Sequence, residues 1–297
     1  MQFVIILGAA RSGTTMLANL LKKDARVIYV GEPKYVWKYK NFRVGHDMLT
    51  KEHITPEIRE HIVNYFTDQF YKNNGEILLE KTPSNSLRFE FVYNIFPNAK
   101  YIHIIRNGVD VAFSAKKRWM GEYTETELAH KKNLKNISKA TNKRLKRKWK
   151  SSEAHLIDIL KDLKYSLPLF LNNNGFKKHS VWGPCYPDIY KDYKTLELIE
   201  VCSLQWKHSV ESVLEFKDSQ SFAGAYHEIR YEDIVAGDMQ KVKEMFDFTG
   251  INFNRGAEQF VQLIEQNFQS KKHKSKSKET ELILNHSSCT IKKLGYL

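Results

Sequence analysis

Phe3-Val4-Ile5-Ile6-Leu7-Gly8-Ala9-Ala10-Arg11-Ser12-Gly13-Thr14-Thr15-Met16-Leu17 is the stretch that decides the fold. Residues 3–7 are apolar and rich in β-branched side chains, as in a strand buried on both faces. Met16, Leu17, Leu20 and Leu21 then recur at helical spacing, closed by Lys22, Lys23 and Asp24. Strand, glycine-bounded loop and helix follow one another without a gap. The backbone amides of residues 12–15 are expected to be the unpaired first donors of the helix, and with its dipole they favour an anion.

The loop differs from a Walker A sequence, which places Lys directly after its second glycine and then a magnesium-binding Ser or Thr. Here Thr14 stands where that Lys belongs, and the cation, Arg11, precedes the glycine. A second strand–turn–helix runs Tyr101-Ile102-His103-Ile104-Ile105-Arg106-Asn107-Gly108-Val109-Asp110-Val111-Ala112-Phe113-Ser114. Arg106 at a strand end is a permanently charged, bidentate anion clamp. Ser114 follows about two helical turns later and reaches the same anion if the ligand lies along the helix.

Arg11-Ser12-Gly13-Thr14-Thr15 and the Arg106 to Ser114 segment together resemble the two nucleotide segments of sulfotransferases that use 3′-phosphoadenylylsulfate (PAPS). The resemblance implies a P-loop-like α/β fold, with Arg11, Ser12, Gly13, Thr14 and Thr15 on the 5′-phosphosulfate. It implies Arg106 and Ser114 on the 3′-phosphate. Lys81, in Leu79-Glu80-Lys81-Thr82-Pro83, is similar to the Lys that the family places against the sulfonate. The cytosolic small-molecule branch follows Lys-Thr with a His base, and Pro83 removes that solution. Glu32, in Val30-Gly31-Glu32-Pro33, stands where the tyrosylprotein branch and its bacterial carbohydrate relatives carry a catalytic Glu. The chain is closer to that branch, and Glu32 is the expected base, helped by burial that would raise its pKa. His103, His46 and Asp47 remain rivals for that role, and the alternative for Glu32 is that it caps a helix or pairs with Lys34 or Lys38. Tyr231, in Ile229-Arg230-Tyr231-Glu232-Asp233-Ile234, resembles a late cofactor contact, with packing under the sheet an equal alternative. Leu294-Gly295-Tyr296 looks like the family's closing helix end. The resemblance covers residues 1–118 and 195–297.

Composition sets the partners. The formal net charge is +13, and it is concentrated: residues 131–150 hold Lys131, Lys132, Lys135, Lys139, Lys143, Arg144, Lys146, Arg147, Lys148 and Lys150 with no acid. A second run lies at 271–278. Such runs suit an anionic membrane surface, an acidic substrate or a solvated face; the aromatic interleaving of a nucleic-acid binder is missing. Cys185, Cys202 and Cys289 form no CxxC pair, which fits a reducing compartment. No apolar run is long enough to span a bilayer and no signal peptide is visible, so the expected setting is cytoplasmic. No metal-ligand cluster is evident, and none is expected.

Strands are expected at 3–7, 28–30, 76–80, 101–105 and 225–230. Thr55-Pro56-Glu57 opens a helix whose buried face is Ile58, Ile62, Tyr65, Phe66 and Phe70. Further helices are expected over 84–96 and after Thr195. The alternation predicts a central parallel sheet with helices on both faces in one domain over 1–297, with ligands beyond the carboxyl ends of the strands. Residues 121–194 break it and are expected to be an insertion over that end, a lid or acceptor-binding region in which Trp182 and Tyr186 either stack on a ligand or anchor the segment.

The resemblance implies sulfuryl transfer from PAPS to an acceptor hydroxyl, carbohydrate or glycolipid first and peptide tyrosine second, with Arg11, Glu32 and Lys81 catalytic. Adenosine 3′,5′-bisphosphate would be the product. Two other readings stay open here. An ATP-using P-loop kinase would need magnesium and no 3′-phosphate. A non-enzymatic basic binder would tolerate loss of Arg11 and fail on charge reversal across 143–150.

Overall fold

The computed structural model describes residues 2–122, 181–268 and 278–297. The basic runs at 131–150 and 271–277, and most of the expected insertion, lie outside them. Strands β1 (Gln2–Leu7), β2 (Val27–Gly31), β3 (Ile77–Lys81), β4 (Lys100–Ile105) and β5 (Ala225–Arg230) form one sheet in the order β2-β3-β1-β4-β5. Every pairing is parallel. Each strand expected from the sequence is present.

Alternation along the strands divides the core. Phe3, Ile5, Leu7, Leu78 and Tyr101 point to one face, where α3 (Pro56–Tyr71) and α4 (Phe89–Ile95) bury Ile58, Ile62, Phe66, Phe89 and Val92. Val4, Ile6, Leu79, Ile102 and Ile104 point to the other. There α1 (Thr14–Leu21) contributes Leu17, Leu20 and Leu21, while Met239–Thr249 contributes Val242, Met245 and Phe246. A sheet covered on both faces explains why β3 is buried from one end to the other and β1 at every residue after Gln2.

Among the described residues the remaining helices are α2 (Lys34–Trp37), α5 (Gly108–Trp119), α6 (Ile189–Thr195), α7 (Leu198–Lys217), α8 (Tyr231–Val235), α9 (the Met239–Thr249 segment), α10 (Arg255–Phe268) and α11 (Lys278–Lys293). Thr55 caps α3 as expected, its hydroxyl accepting from Ile58 N–H at 3.3 Å with Pro56 in the first turn. The helix expected over 84–96 is broken: a 3-10 turn at Pro83–Ser86 precedes α4. The cause is polar. The Asn85 amide donates to the buried Glu80 carboxylate at 3.0 Å and its oxygen accepts from Arg88 Nε at 3.0 Å, which fixes both side chains inward.

The chain divides into two compact units, Met1–Lys116 with Gly183–Leu297, and Lys117–Trp182. In the second, the Arg118 guanidinium lies over the Trp182 ring at 5.5 Å. Residues 183–195 belong to the first. Tyr186 is buried there, stacked on His208 at 4.6 Å with its hydroxyl donating to Asp192 at 2.9 Å, so it anchors that segment. Among the described residues no helix is long and apolar enough to cross a membrane.

Candidate active site

The loop after β1 is shaped by what touches its glycines. At Gly8 (φ +154°) a β-carbon would lie 2.8 Å from the carbonyl oxygen of Ile104, and the Gly8 N–H donates to Ser86 Oγ at 2.7 Å. Gly13 (φ +95°) is the N-cap of α1, and a β-carbon there would lie 2.5 Å from the Tyr231 ring. Tyr231 therefore closes over the loop from the start of α8. The Ser12 N–H turns back to Ala9 O at 3.1 Å, so contrary to the sequence expectation it is not among the helix's first donors. The first-turn amides of Thr14, Thr15 and Met16 have no acceptor within the helix.

Arg11, in the left-handed region at φ 74°, places its Nε 3.1 Å from Ser114 Oγ on α5. Arg106, one residue beyond β4, donates from Nη1 to Arg11 O at 3.2 Å and lies over the Tyr231 ring at 4.1 Å. The two arginines, Ser114 and Tyr231 thus meet at one place from three chain segments. Two polar atoms of this cradle, Ser12 Oγ and Arg106 Nε, are buried without a hydrogen-bond partner among the described residues. An orphaned hydroxyl and an orphaned guanidinium N–H beside a helix start fit an anionic ligand such as a phosphate.

Beside this cradle, β2 and β3 pair Gly31 with Lys81 and bring Glu32 to the end of β3. Lys81 Nζ lies 2.6 Å from Glu32 Oε1, and Lys34 Nζ lies 3.7 Å from Oε2. Lys81 is 4% exposed and Glu32 41%, so the carboxylate forms the solvent side of the pair. Partial desolvation pushes the Glu32 carboxyl upward, but Lys81 and then Lys34 outweigh it and hold it below the ordinary range. The expectation that burial raises Glu32 is corrected: its neighbour is a lysine, and that attraction wins. Behind the pair, buried Glu80 accepts from Trp37 Nε1 at 3.1 Å, Thr82 Oγ1 at 2.5 Å and Asn85 Nδ2 at 3.0 Å. Burial pushes its carboxyl up to about 7, against the pull of those donors.

Two of the rival bases, His103 and Asp47, are otherwise engaged. His103 is fully buried, with Nδ1 2.8 Å from the Tyr226 hydroxyl, and desolvation, then the Lys217 charge, lowers it to about 3. Asp47 accepts from Ser84 Oγ at 3.0 Å and Cys185 N–H at 2.9 Å, with Lys38 at 3.6 Å and Arg88 at 3.9 Å. Sequence reasoning missed Ser86, Trp37 and Glu80. A glutamate directly after the apolar run Ile77-Leu78-Leu79 was the one available signal. Two open clefts of ≈ 570 and ≈ 610 Å³ flank the start of α3 and include none of these residues. Among the described residues no cluster of His, Cys, Asp and Glu is arranged to hold a metal ion.

The chain belongs to the sulfotransferase family, whose sequence model matches residues 3–166. It is 31% identical over 137 residues to an uncharacterized protein of Aquifex aeolicus, covering 40% of this chain and 18% of that one. It is 27% identical over 122 residues to a putative protein-tyrosine sulfotransferase of Caenorhabditis briggsae, covering 39% and 44%. In each case the match spans less than half of the relative's length. The fold is similar to that of a sulfotransferase of Mycobacterium avium, with a TM-score of 0.53 at 12% identity over 98% of this chain and 76% of that one.

Proposed function

We propose that the protein transfers a sulfuryl group from PAPS to an acceptor hydroxyl. The observation that carries this reading is the meeting of Arg11, Arg106 and Ser114, beside a Lys81–Glu32 pair. Arg11, Ser12, Gly13, Thr14 and Thr15 would hold the 5′-phosphosulfate. Arg106 and Ser114 would take the 3′-phosphate, under Tyr231. In the reaction the acceptor oxygen bonds to sulfur as the bond from sulfur to the bridging oxygen breaks. Arg11 and Lys81 neutralise the charge that grows on the leaving oxygen and the sulfonate. Glu32 takes the acceptor's proton.

The resting ion pair has a role in this scheme. A sulfonate arriving at Lys81 competes with Glu32 for the ammonium. Loss of that partner removes the largest influence lowering the carboxyl, while its partial desolvation remains. The base thus strengthens when the donor is in place. The acceptor class is a carbohydrate or glycolipid hydroxyl on branch resemblance, with peptide tyrosine second; the name of the Caenorhabditis relative supports the second. Unpaired thiols at Cys185, Cys202 and Cys289 suit a cytoplasmic setting. The test is calorimetry with adenosine 3′,5′-bisphosphate against 5′-AMP, with no metal present. Tighter binding of the bisphosphate is expected, and equal or absent binding of the two would sink the reading.

A further inference from the structure

The peptide plane that joins Arg106 to Asn107 is held from both of its polar ends. Its carbonyl, on Arg106, accepts from Trp206 Nε1 of α7 at 3.1 Å. Its N–H, on Asn107, donates to Glu232 Oε1 of α8 at 3.0 Å. Trp206 comes this close because residue 108 is glycine: a β-carbon there would lie 2.7 Å from the indole ring. Glu232 is itself held. Its second oxygen accepts from the Tyr296 hydroxyl at 2.8 Å, and the Tyr296 ring lies under the Arg230 guanidinium at 4.9 Å. Arg230 in turn donates to Leu294 O at 2.7 Å, which ties the residues after α11 to the end of β5.

A peptide plane fixed at both C=O and N–H cannot rotate, so the backbone angles on either side of it are set. One of those angles belongs to Arg106 and aims its side chain. On the next residue, Asn107 Oδ1 accepts from Val109 N–H at 2.9 Å and starts α5, which carries Ser114. Both residues assigned to the 3′-phosphate therefore hang from one plane.

We infer that Trp206, Glu232 and Tyr296 are positioning residues that set recognition of a nucleotide's 3′-phosphate through the Arg106–Asn107 peptide. This rests on the proposed PAPS site. A carboxylate this close to an anion clamp opposes the anion by charge, so its value lies in accepting two hydrogen bonds at once. An amide can do the same work: in Glu232→Gln the oxygen accepts from Asn107 and the NH2 donates to the Tyr296 hydroxyl oxygen.

The experiment measures affinity for adenosine 3′,5′-bisphosphate and for 5′-AMP by calorimetry, with thermal melting, in the full chain and three variants. The readout is the ratio of the two affinities. Tyr296→Phe removes one hydroxyl and should lower the ratio about fivefold. Glu232→Ala should lower it by about tenfold or more, leaving the 5′-AMP affinity near the native value. Glu232→Gln should restore the native ratio. A purely structural role would weaken both nucleotides together, and that outcome overturns the inference. So does an unchanged ratio in Glu232→Ala, or a Glu232→Gln variant as poor as the alanine one. If the native chain does not prefer the bisphosphate, the PAPS reading itself falls, a result distinct from any failure of the variants.

Discussion

Lys81 Nζ and Glu32 Oε1 lie 2.6 Å apart because β2 and β3 run side by side in register, Gly31 opposite Lys81. The contact is reinforced along the backbone, where Glu32 N–H donates to Lys81 O at 3.0 Å. Glu32 adopts φ 52° to make this turn, which costs a non-glycine residue about 1 kcal/mol or more. The strained residue is the one assigned the proton.

Glu32→Gln keeps the shape of that turn and removes the base. Affinity for adenosine 3′,5′-bisphosphate should stay within about twofold of native, while sulfuryl transfer from PAPS falls by about a hundredfold or more. Calorimetry and single-turnover transfer of labelled sulfate separate the two. Full turnover in the variant would remove Glu32 from the mechanism.

Gly13→Ala puts a β-carbon 2.5 Å from the Tyr231 ring at a residue with φ +95°. The ring must leave the loop, and with it goes the surface under Arg106. Stability should drop by roughly 1–3 kcal/mol in urea titration. Bisphosphate affinity should fall more than tenfold; a variant that binds normally would show that Tyr231 does not shape the cradle.

Asp47→Ala leaves fully buried Arg88 and half-buried Lys38 without their shared carboxylate. A loss of about 3 kcal/mol is expected. Because Asp47 also holds the Cys185 N–H, Cys185 should become reactive toward a thiol reagent. A stable variant with an inert Cys185 would contradict the reading of Asp47 as an anchor.

His103 and Glu80 make opposite contributions to the pH dependence of stability. His103 titrates near 3 in the fold against 6.5 when exposed, so stability it supports above pH 6.5 is lost as pH falls toward 3. Glu80 titrates near 7 against 4.5, so its contribution is fully present below 4.5 and lost as pH rises through 7. Urea midpoints across this range should show a shallower acid-side decline in His103→Gln. In Glu80→Gln they should lack the decline between 4.5 and 7. The reverse assignment of slopes would overturn both.

The strands, the capping of α3 and the Gly8 to Thr15 loop were legible because each is a local pattern of period or turn chemistry. Arg106 and Ser114 share one strand–turn–helix, and in the fold each reaches Arg11. What escaped was set by particular contacts, some local and some distant, that no period or motif encodes. The break in the 84–96 helix comes from Glu80, a buried carboxylate on the segment just before it that accepts from Asn85. Ser12 lost its place among the helix donors to a turn with Ala9. For Glu32 the sequence offered Lys34 or Lys38 as partners, whereas Lys81, one strand away, lies nearer. No spacing rule joins Trp206, Glu232 and Tyr296 to residue 106.

The strand order has a metric consequence. Lys81 ends β3 and Arg106 follows β4, with β1 between them. At about 4.8 Å per strand, the two cations are anchored roughly 10 Å apart. Two anionic groups set apart along the strand ends match that spacing, one toward each cation. The strand order thus sets the separation from which the two cations start, before any side-chain contact is made.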